Sequence, residues 1–301
     1  MTIPLLIDTD PGIDDALAIL SAARDPALDL LALTTVFGNV PVSVATRNAR
    51  GLAALCPRPP LVAEGAARPL VRAPAPHPDF VHGGDGLGGA PLPVEGAALD
   101  PRRAATVISA LAEAHRGALV VVAVGPLTNL AEALAADPAL PGRVARVIVM
   151  GGAVRHPGNV TEAAEANFWQ DPHAAAAVLQ APWPLTLVGL DVTECVRLYP
   201  DDLAELPATQ AVTLLREAIG FYAAFHRESA KFTGCYLHDP AATTVAADPS
   251  LLECRRLRIA VTLEGEAEGA VRESAEGTPV DVALAANAPG IRTRVLSALQ
   301  H

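Results

Sequence analysis

Lysine is nearly missing from this chain. Lys231 is the only one among 301 residues, and 22 basic side chains face 33 acidic ones, giving a net charge of -11 and a pI near 5.1. That balance argues against a polyanionic partner, because nucleic-acid binders neutralise phosphates with basic surface. A neutral small molecule is the expected ligand. The four cysteines (Cys56, Cys195, Cys235, Cys254) lie far apart and form no CxxC pair, so neither a disulfide framework nor a thiolate zinc site is indicated, and buried free thiols are expected. No GxGxxG fingerprint calls for a dinucleotide. No apolar run approaches a membrane span and no basic-then-apolar leader opens the chain, so the sequence reads as soluble and cytoplasmic, without membrane contact.

What is abundant is aliphatic. Hydrophobic residues make up 51% of the chain although aromatics are only 4%, enough for one large core. Five continuous apolar runs stand out: Ile3 to Ile7, Leu30 to Val36, Ala118 to Val124, Val144 to Met150 and Leu185 to Leu190. Separated by stretches of helical spacing, they predict an open α/β (Rossmann-like) single domain over 1–301, its mostly parallel central sheet flanked by helices. Ligands of such sheets bind outside the carboxyl ends of the strands, which here carry Asp8, Asp10, Asn39, Gly125, Gly151 and Asp191.

The first of these ends is the densest in chemistry. Asp8, Asp10, Asp14 and Asp15 meet at one strand-to-helix turn around Pro11-Gly12. Capping and dipole effects account for one or two of these carboxylates, and ionising the rest so close together requires a positive charge. An all-oxygen set favours a hard ion, Ca2+ or Mg2+. An EF-hand is excluded, since counting from Asp8 puts Ile13 and Ile19 where its Gly and Glu belong.

Three polar stretches interrupt the regular pattern. Residues 63–101 are rich in Gly and Pro and hold His82, predicting a long active-site loop. Residues 221–237 are aromatic-rich, predict a mobile helical segment, and lead into His238-Asp239-Pro240, a turn suited to capping a helix over 241–247. Residues 155–171 carry Asn159, Glu165 and Asn167, ordinary loop residues by composition. Thr128 or Asn129 can cap a helix, and Trp169 and Trp183 are expected in the core.

Taken in order, these stretches resemble the nucleoside hydrolases, Ca2+-dependent enzymes that cleave the N-glycosidic bond of ribonucleosides. The resemblance rests on DTDPGIDDALAI at 8–19, TTVFGN at 34–39, HGGDGLG at 82–88, VGPLTNLA at 124–131, MGG at 150–152, EAN and DP within 165–172, VGLDVT at 188–193 and HDP at 238–240. It implies calcium ligation by Asp10, Asp15, Asp239 and the Val124 carbonyl, with Asp10 also the general base. It places Asp14, Asn39, Met150, Asn159, Glu165, Asn167 and Asp239 against the substrate, with Asp8 orienting the loop. His82 and His238 are then the candidates to contact and protonate the leaving base, since histidine alone titrates unassisted near neutral pH. Ala166 departs from the Phe that the family commonly has between its Glu and Asn. The combination of His82 with HDP resembles the branch acting on pyrimidine nucleosides or on inosine and uridine, and family members are homodimers or homotetramers.

The chemistry agrees with the residues. Glycosidic cleavage builds positive charge on the sugar, which fixed carboxylates stabilise while a base delivers water from the opposite face. Two rival readings stand beside it. A HAD-like Mg2+ phosphatase shares a strand ending in Asp8-Thr9-Asp10 but needs a Lys beside the phosphate and a late Asp pair, and a non-catalytic nucleoside binder would keep the sugar contacts alone.

Overall fold

All five apolar runs are strands of one sheet in the computed structural model, which describes residues 2–300; Met1 and His301, the ends of the expected domain, lie outside the described residues. The strands in chain order are β1 (Ile3–Thr9), β2 (Leu28–Thr35), β3 (Leu61–Glu64), β4 (Leu99–Asp100), β5 (Val120–Ala123), β6 (Arg146–Met150), β7 (Leu185–Val188), β8 (Arg197–Leu198), β9 (Cys235–Tyr236), β10 (Leu252–Val261), β11 (Val271–Glu273) and β12 (Thr278–Ala286). Ten of them form a sheet of order β11-β10-β12-β7-β6-β5-β1-β2-β3-β4, and β8 pairs with β9 apart from it. From β4 across to β12 every pairing is parallel; only β10 runs against its neighbours.

The helices are α1 (Ile13–Ala22), α2 (Val42–Ala54), α3 (Asp79–His82), α4 (Ala104–Ala114), α5 (Thr128–Ala136), α6 (Ala166–Gln170), α7 (Pro172–Gln180), α8 (Leu190–Thr193), α9 (Gln210–Ser229), α10 (His238–Ala247) and α11 (Ala288–Ala298). They cover both faces of the sheet, which is why its central strands are apolar throughout and do not alternate with polar residues. Successive side chains of a strand enter opposite layers. Leu5 and Ile7 of β1 join the layer under α1, α9 and α10, whereas Leu6 joins the layer under α4, α5 and α7. Val120 and Val122 of β5 divide from Val121 in the same way.

The expectations for several local elements need correction. Leu190 lies in α8, not in the preceding strand. Thr128 and Asn129 sit inside the first turn of α5 and do not cap it, because both side chains are spent on partners across the fold. His238-Asp239-Pro240 is the first turn of α10 itself. Trp183 is buried, its indole N–H donating to the Val178 carbonyl at 2.8 Å, but Trp169 is half-buried beneath the Arg72 guanidinium, 4.5 Å from the ring centre. Cys56 and Cys235 are buried, whereas Cys195 and Cys254 are exposed. Within 63–101, the 79–82 turn is helical and β4 adds an edge strand.

Candidate active site

The crossovers leave β1 in opposite directions, toward β2 and β3 on one side and β5, β6 and β7 on the other. Where an open parallel sheet reverses like this, the loops at the strand ends part and leave a crevice. The loop after β1 fills it with carboxylates.

Asp8 is the anchor of that loop and takes no place in the crevice. It is fully buried, and its Oδ1 accepts from Thr34 Oγ1 at 2.5 Å and from Asn129 Nδ2 at 2.8 Å, so β1, β2 and α5 are tied at one atom. Asn129 also donates to the Thr35 carbonyl and accepts from Ala66 N–H. Burial outweighs these hydrogen bonds and pushes the Asp8 carboxyl up to about 7.

Asp10 is held by one oxygen only. Its Oδ2 accepts the Asn39 backbone N–H at 2.7 Å, while Oδ1 is buried with no hydrogen-bond partner. Room for the group depends on two glycines: a Cβ on Gly38 would lie 1.9 Å from Oδ2, and one on Gly125 would lie 2.7 Å from Oδ1. Asp15, in the first turn of α1, accepts from Thr9 Oγ1, from Gly12 N–H at 2.9 Å and from Asn39 Nδ2 at 3.3 Å. Oxygens of Asp14, Asp15 and Asp239 lie within 4.8 Å of one another. Burial, and then the neighbouring carboxylates, push Asp10 and Asp239 well above the usual carboxylate range and Asp14 up to about 8.

This arrangement passes a test for a bound cation. The donors are hard oxygens, one buried oxygen of Asp10 lacks a partner, and ionising four clustered carboxylates out of water requires a positive charge nearby. The tightest set includes Asp14, which the resemblance places at the sugar; Asp10 is outside that set but near enough to Asp15 and Asp14 for their charges to raise its carboxyl.

The remaining expected residues are distributed unevenly around this cluster. Asn167 Nδ2 donates to the Val124 carbonyl at 2.8 Å and to the Met150 carbonyl at 3.2 Å, bridging the ends of β5 and β6. Glu165 caps α6 through the Asn167 and Phe168 amides and accepts Gly152 N–H at 2.8 Å, so both its oxygens hold main chain. Asn159 is exposed and accepts the Ala166 N–H at 3.0 Å, out on the rim.

His82 closes the opposite side. Ile13 N–H donates to its Nδ1 at 3.1 Å, so the neutral ring carries its proton on Nε2. Gly12 permits this approach, since a Cβ there would stand 2.8 Å from Nδ1. Burial pushes both His82 and His238 down to about 3, leaving them neutral at pH 7, and His238 Nδ1 pairs with Thr193 Oγ1 at 2.8 Å.

The sequence does not single out Tyr222, and it places His226 only as one of the histidines of the aromatic-rich segment 221–237. Both are buried on α9, and Tyr222 lies close enough to Asp14, Asp15 and Asp239 for their charges to push its hydroxyl further above the usual range, after burial. The i, i+3, i+4 spacing of Tyr222, Phe225 and His226 puts all three on one helix face in the most aromatic part of the chain, a signal the sequence did contain.

The chain matches the family described as inosine-uridine preferring nucleoside hydrolase over residues 5–293. It is 39% identical to uridine nucleosidase 1 of Arabidopsis thaliana over 87% of this chain and 79% of that protein. A solved plant nucleoside hydrolase superposes with a TM-score of 0.95 at 34% identity, covering 100% of this chain and 99% of its own. A purine-preferring ribonucleoside hydrolase from Gardnerella vaginalis superposes with a TM-score of 0.93 at 29% identity, covering 99% of both.

Proposed function

Since the chain belongs to the inosine-uridine preferring nucleoside hydrolase family and is an N-ribosyl hydrolase acting on ribonucleosides, we propose that it works with Ca2+ on pyrimidine nucleosides or inosine. The observation that carries the metal reading is Asp10, with one oxygen pinned to Asn39 and the other buried without a partner beside Asp14, Asp15 and Asp239. Asp10, Asp15, Asp239 and the Val124 carbonyl would hold the ion. Bound there, it would orient the attacking water and the ribose 2'- and 3'-hydroxyls and make that water more acidic.

The chain's own residues supply the rest. Asp10 Oδ1 takes the proton from the water as its oxygen closes on C1'. Asp14 and Asp239 face the sugar with negative charge as the ribosyl cation develops, and Asn39 and Asn167 supply amide groups to its hydroxyls. Attack opposite the base inverts C1'. Neutral His82 offers its Nε2–H as a hydrogen bond to the departing base, and His238 flanks the same base. Groups shaped for a 2'-hydroxyl are left unpaired by a deoxyribose, so deoxynucleosides react poorly.

Neither rival survives. Family membership makes the chain a hydrolase of ribonucleosides, and Asp8, which a phosphatase would need free as nucleophile, is fully buried with one oxygen taken by Thr34 and Asn129. The specificity and metal are tested by ribose release from uridine, cytidine, inosine, adenosine and 2'-deoxyuridine after EDTA treatment and after adding back Ca2+ or Mg2+. Pyrimidine or inosine turnover restored best by Ca2+ supports the proposal. Adenosine as best substrate, or activity indifferent to chelation, overturns it.

A further inference from the structure

His77 reaches the carboxylate cluster through a single peptide group. The segment between β3 and α3 runs Pro76-His77-Pro78, and a proline on each side restricts the backbone that carries the ring. The half-buried His77 places Nδ1 2.8 Å from the Gly38 carbonyl, which can only accept, so Nδ1 carries a proton and donates it. That carbonyl and the Asn39 N–H belong to one peptide unit, and the Asn39 N–H donates to Asp10 Oδ2 at 2.7 Å. The imidazole, the peptide and the carboxylate therefore stand in series.

A donor on an amide oxygen polarises the N–H at the other end of the same amide, so hydrogen bonds in series strengthen one another. It also fixes the plane of the peptide. Gly38 has no Cβ to limit its backbone, so a Gly38–Asn39 peptide released at its carbonyl can swing and turn its N–H away from Asp10. Nothing on Asp10 Oδ1 compensates, because that oxygen is buried with no hydrogen-bond partner. We propose that His77 is a positioning residue for Asp10: by holding the Gly38 carbonyl it aims the Asn39 N–H at Oδ2, and so points Oδ1 at the cation and the attacking water. The same segment goes on to bring His82 Nδ1 against the Ile13 N–H. The turn after β1 is thus gripped from the Gly38 side through His77 and from the α1 side by His82.

This inference rests on the reading of Asp10 as a metal ligand, and calorimetric titration of the EDTA-treated protein with Ca2+, with no substrate present, keeps the two apart. His77→Ala removes the donor. In His77→Asn the side-chain Nδ2 stands as many bonds from Cα as the ring Nδ1 does and can still donate to the Gly38 carbonyl. His77→Ala is expected to weaken Ca2+ binding by about 10- to 100-fold, the usual loss when the partner behind a metal ligand is removed. Uridine turnover at saturating Ca2+ should show kcat lowered by about tenfold with KM within about threefold, the split expected when substrate binding is spared. His77→Asn should return Ca2+ affinity and kcat to within about threefold of wild type, since the hydrogen bond behind the ligand is kept. If His77 only fastens the loop that carries His82, His77→Ala raises KM and leaves Ca2+ affinity as it was, and that result overturns the inference. So does His77→Asn behaving no better than His77→Ala. Wild-type protein that takes up no Ca2+ overturns the metal reading, and the inference with it.

Discussion

The partnerless oxygen of Asp10 occupies a niche that exists because Gly125 has no side chain: a Cβ there would stand 2.7 Å from Oδ1. Gly125→Ala is therefore expected to push the carboxylate out of line while leaving the sheet intact. Misplacing a reacting group by about 1 Å costs on the order of 10²-fold in rate. Steady-state kinetics with a far-UV spectrum would show a kcat loss of that order with unchanged secondary structure; full activity would mean the carboxylate has slack.

Chelation should make stability depend on pH in one direction. Asp8 and Asp14 titrate near 3.8 when unfolded but near 7 and 8 in the folded chain without a cation. Between those values the folded state holds more protons than the unfolded one, so stability is fully present below about pH 4 and falls as pH rises toward 8. Each group contributes a slope of at most about 1.4 kcal/mol per pH unit. Melting temperature in EDTA should drop from pH 5 to pH 8, and Ca2+ should raise it more at pH 8. A melting temperature that climbs with pH in EDTA would contradict the sign.

Asn129 serves three buried partners at once: the Asp8 carboxylate, the Thr35 carbonyl and the Ala66 amide. Asn129→Ala leaves them unsatisfied where water has little access. With each stranded group costing about 1–3 kcal/mol, a loss of about 3 kcal/mol or more is expected in urea unfolding. A loss below about 1 kcal/mol would mean that water replaces the side chain.

The thiols should separate into two pairs. Cys195 and Cys254 are exposed, while burial pushes Cys56 up to about 12 and Cys235 further. Iodoacetamide at pH 8 followed by peptide mass spectrometry should find the first pair modified and the second modified only after unfolding, because the thiolate is the reacting form.

The central sheet was legible because strands covered on both faces are near-continuously apolar, and β1, β2, β5, β6 and β7 carry apolar runs through their centres, with polar residues mostly at their ends. The strands toward the margins were not. β10 reads LECRRLRIAV, with arginines on its exposed positions, and β4 is two residues long; neither makes a run that stands out from a loop. In the crevice, Asp10, Asp14 and Asp15 were legible from their spacing, and Asp239 from its resemblance motif. Glu165 could be named but its use of both oxygens on main chain could not, since that depends on how the loop after β6 folds back. Tyr222 and His226 share a helix face in the most aromatic part of the chain, a signal that marks the face but not which of its rings meets the carboxylates, because most such faces are core.

The order in which the chain is made bears on when this crevice can exist. β1 is synthesised first, but its second neighbour, β5, begins at Val120, and Asp239 stands near the end of the chain. A nascent polypeptide therefore exposes Asp8, Asp10, Asp14 and Asp15 to solvent, where they stay ionised and apart, until more than two hundred further residues have emerged. The cluster therefore gains its fourth carboxylate, Asp239, from a segment more than two hundred residues downstream, so its full repulsion is set by long-range packing and not by the local turn.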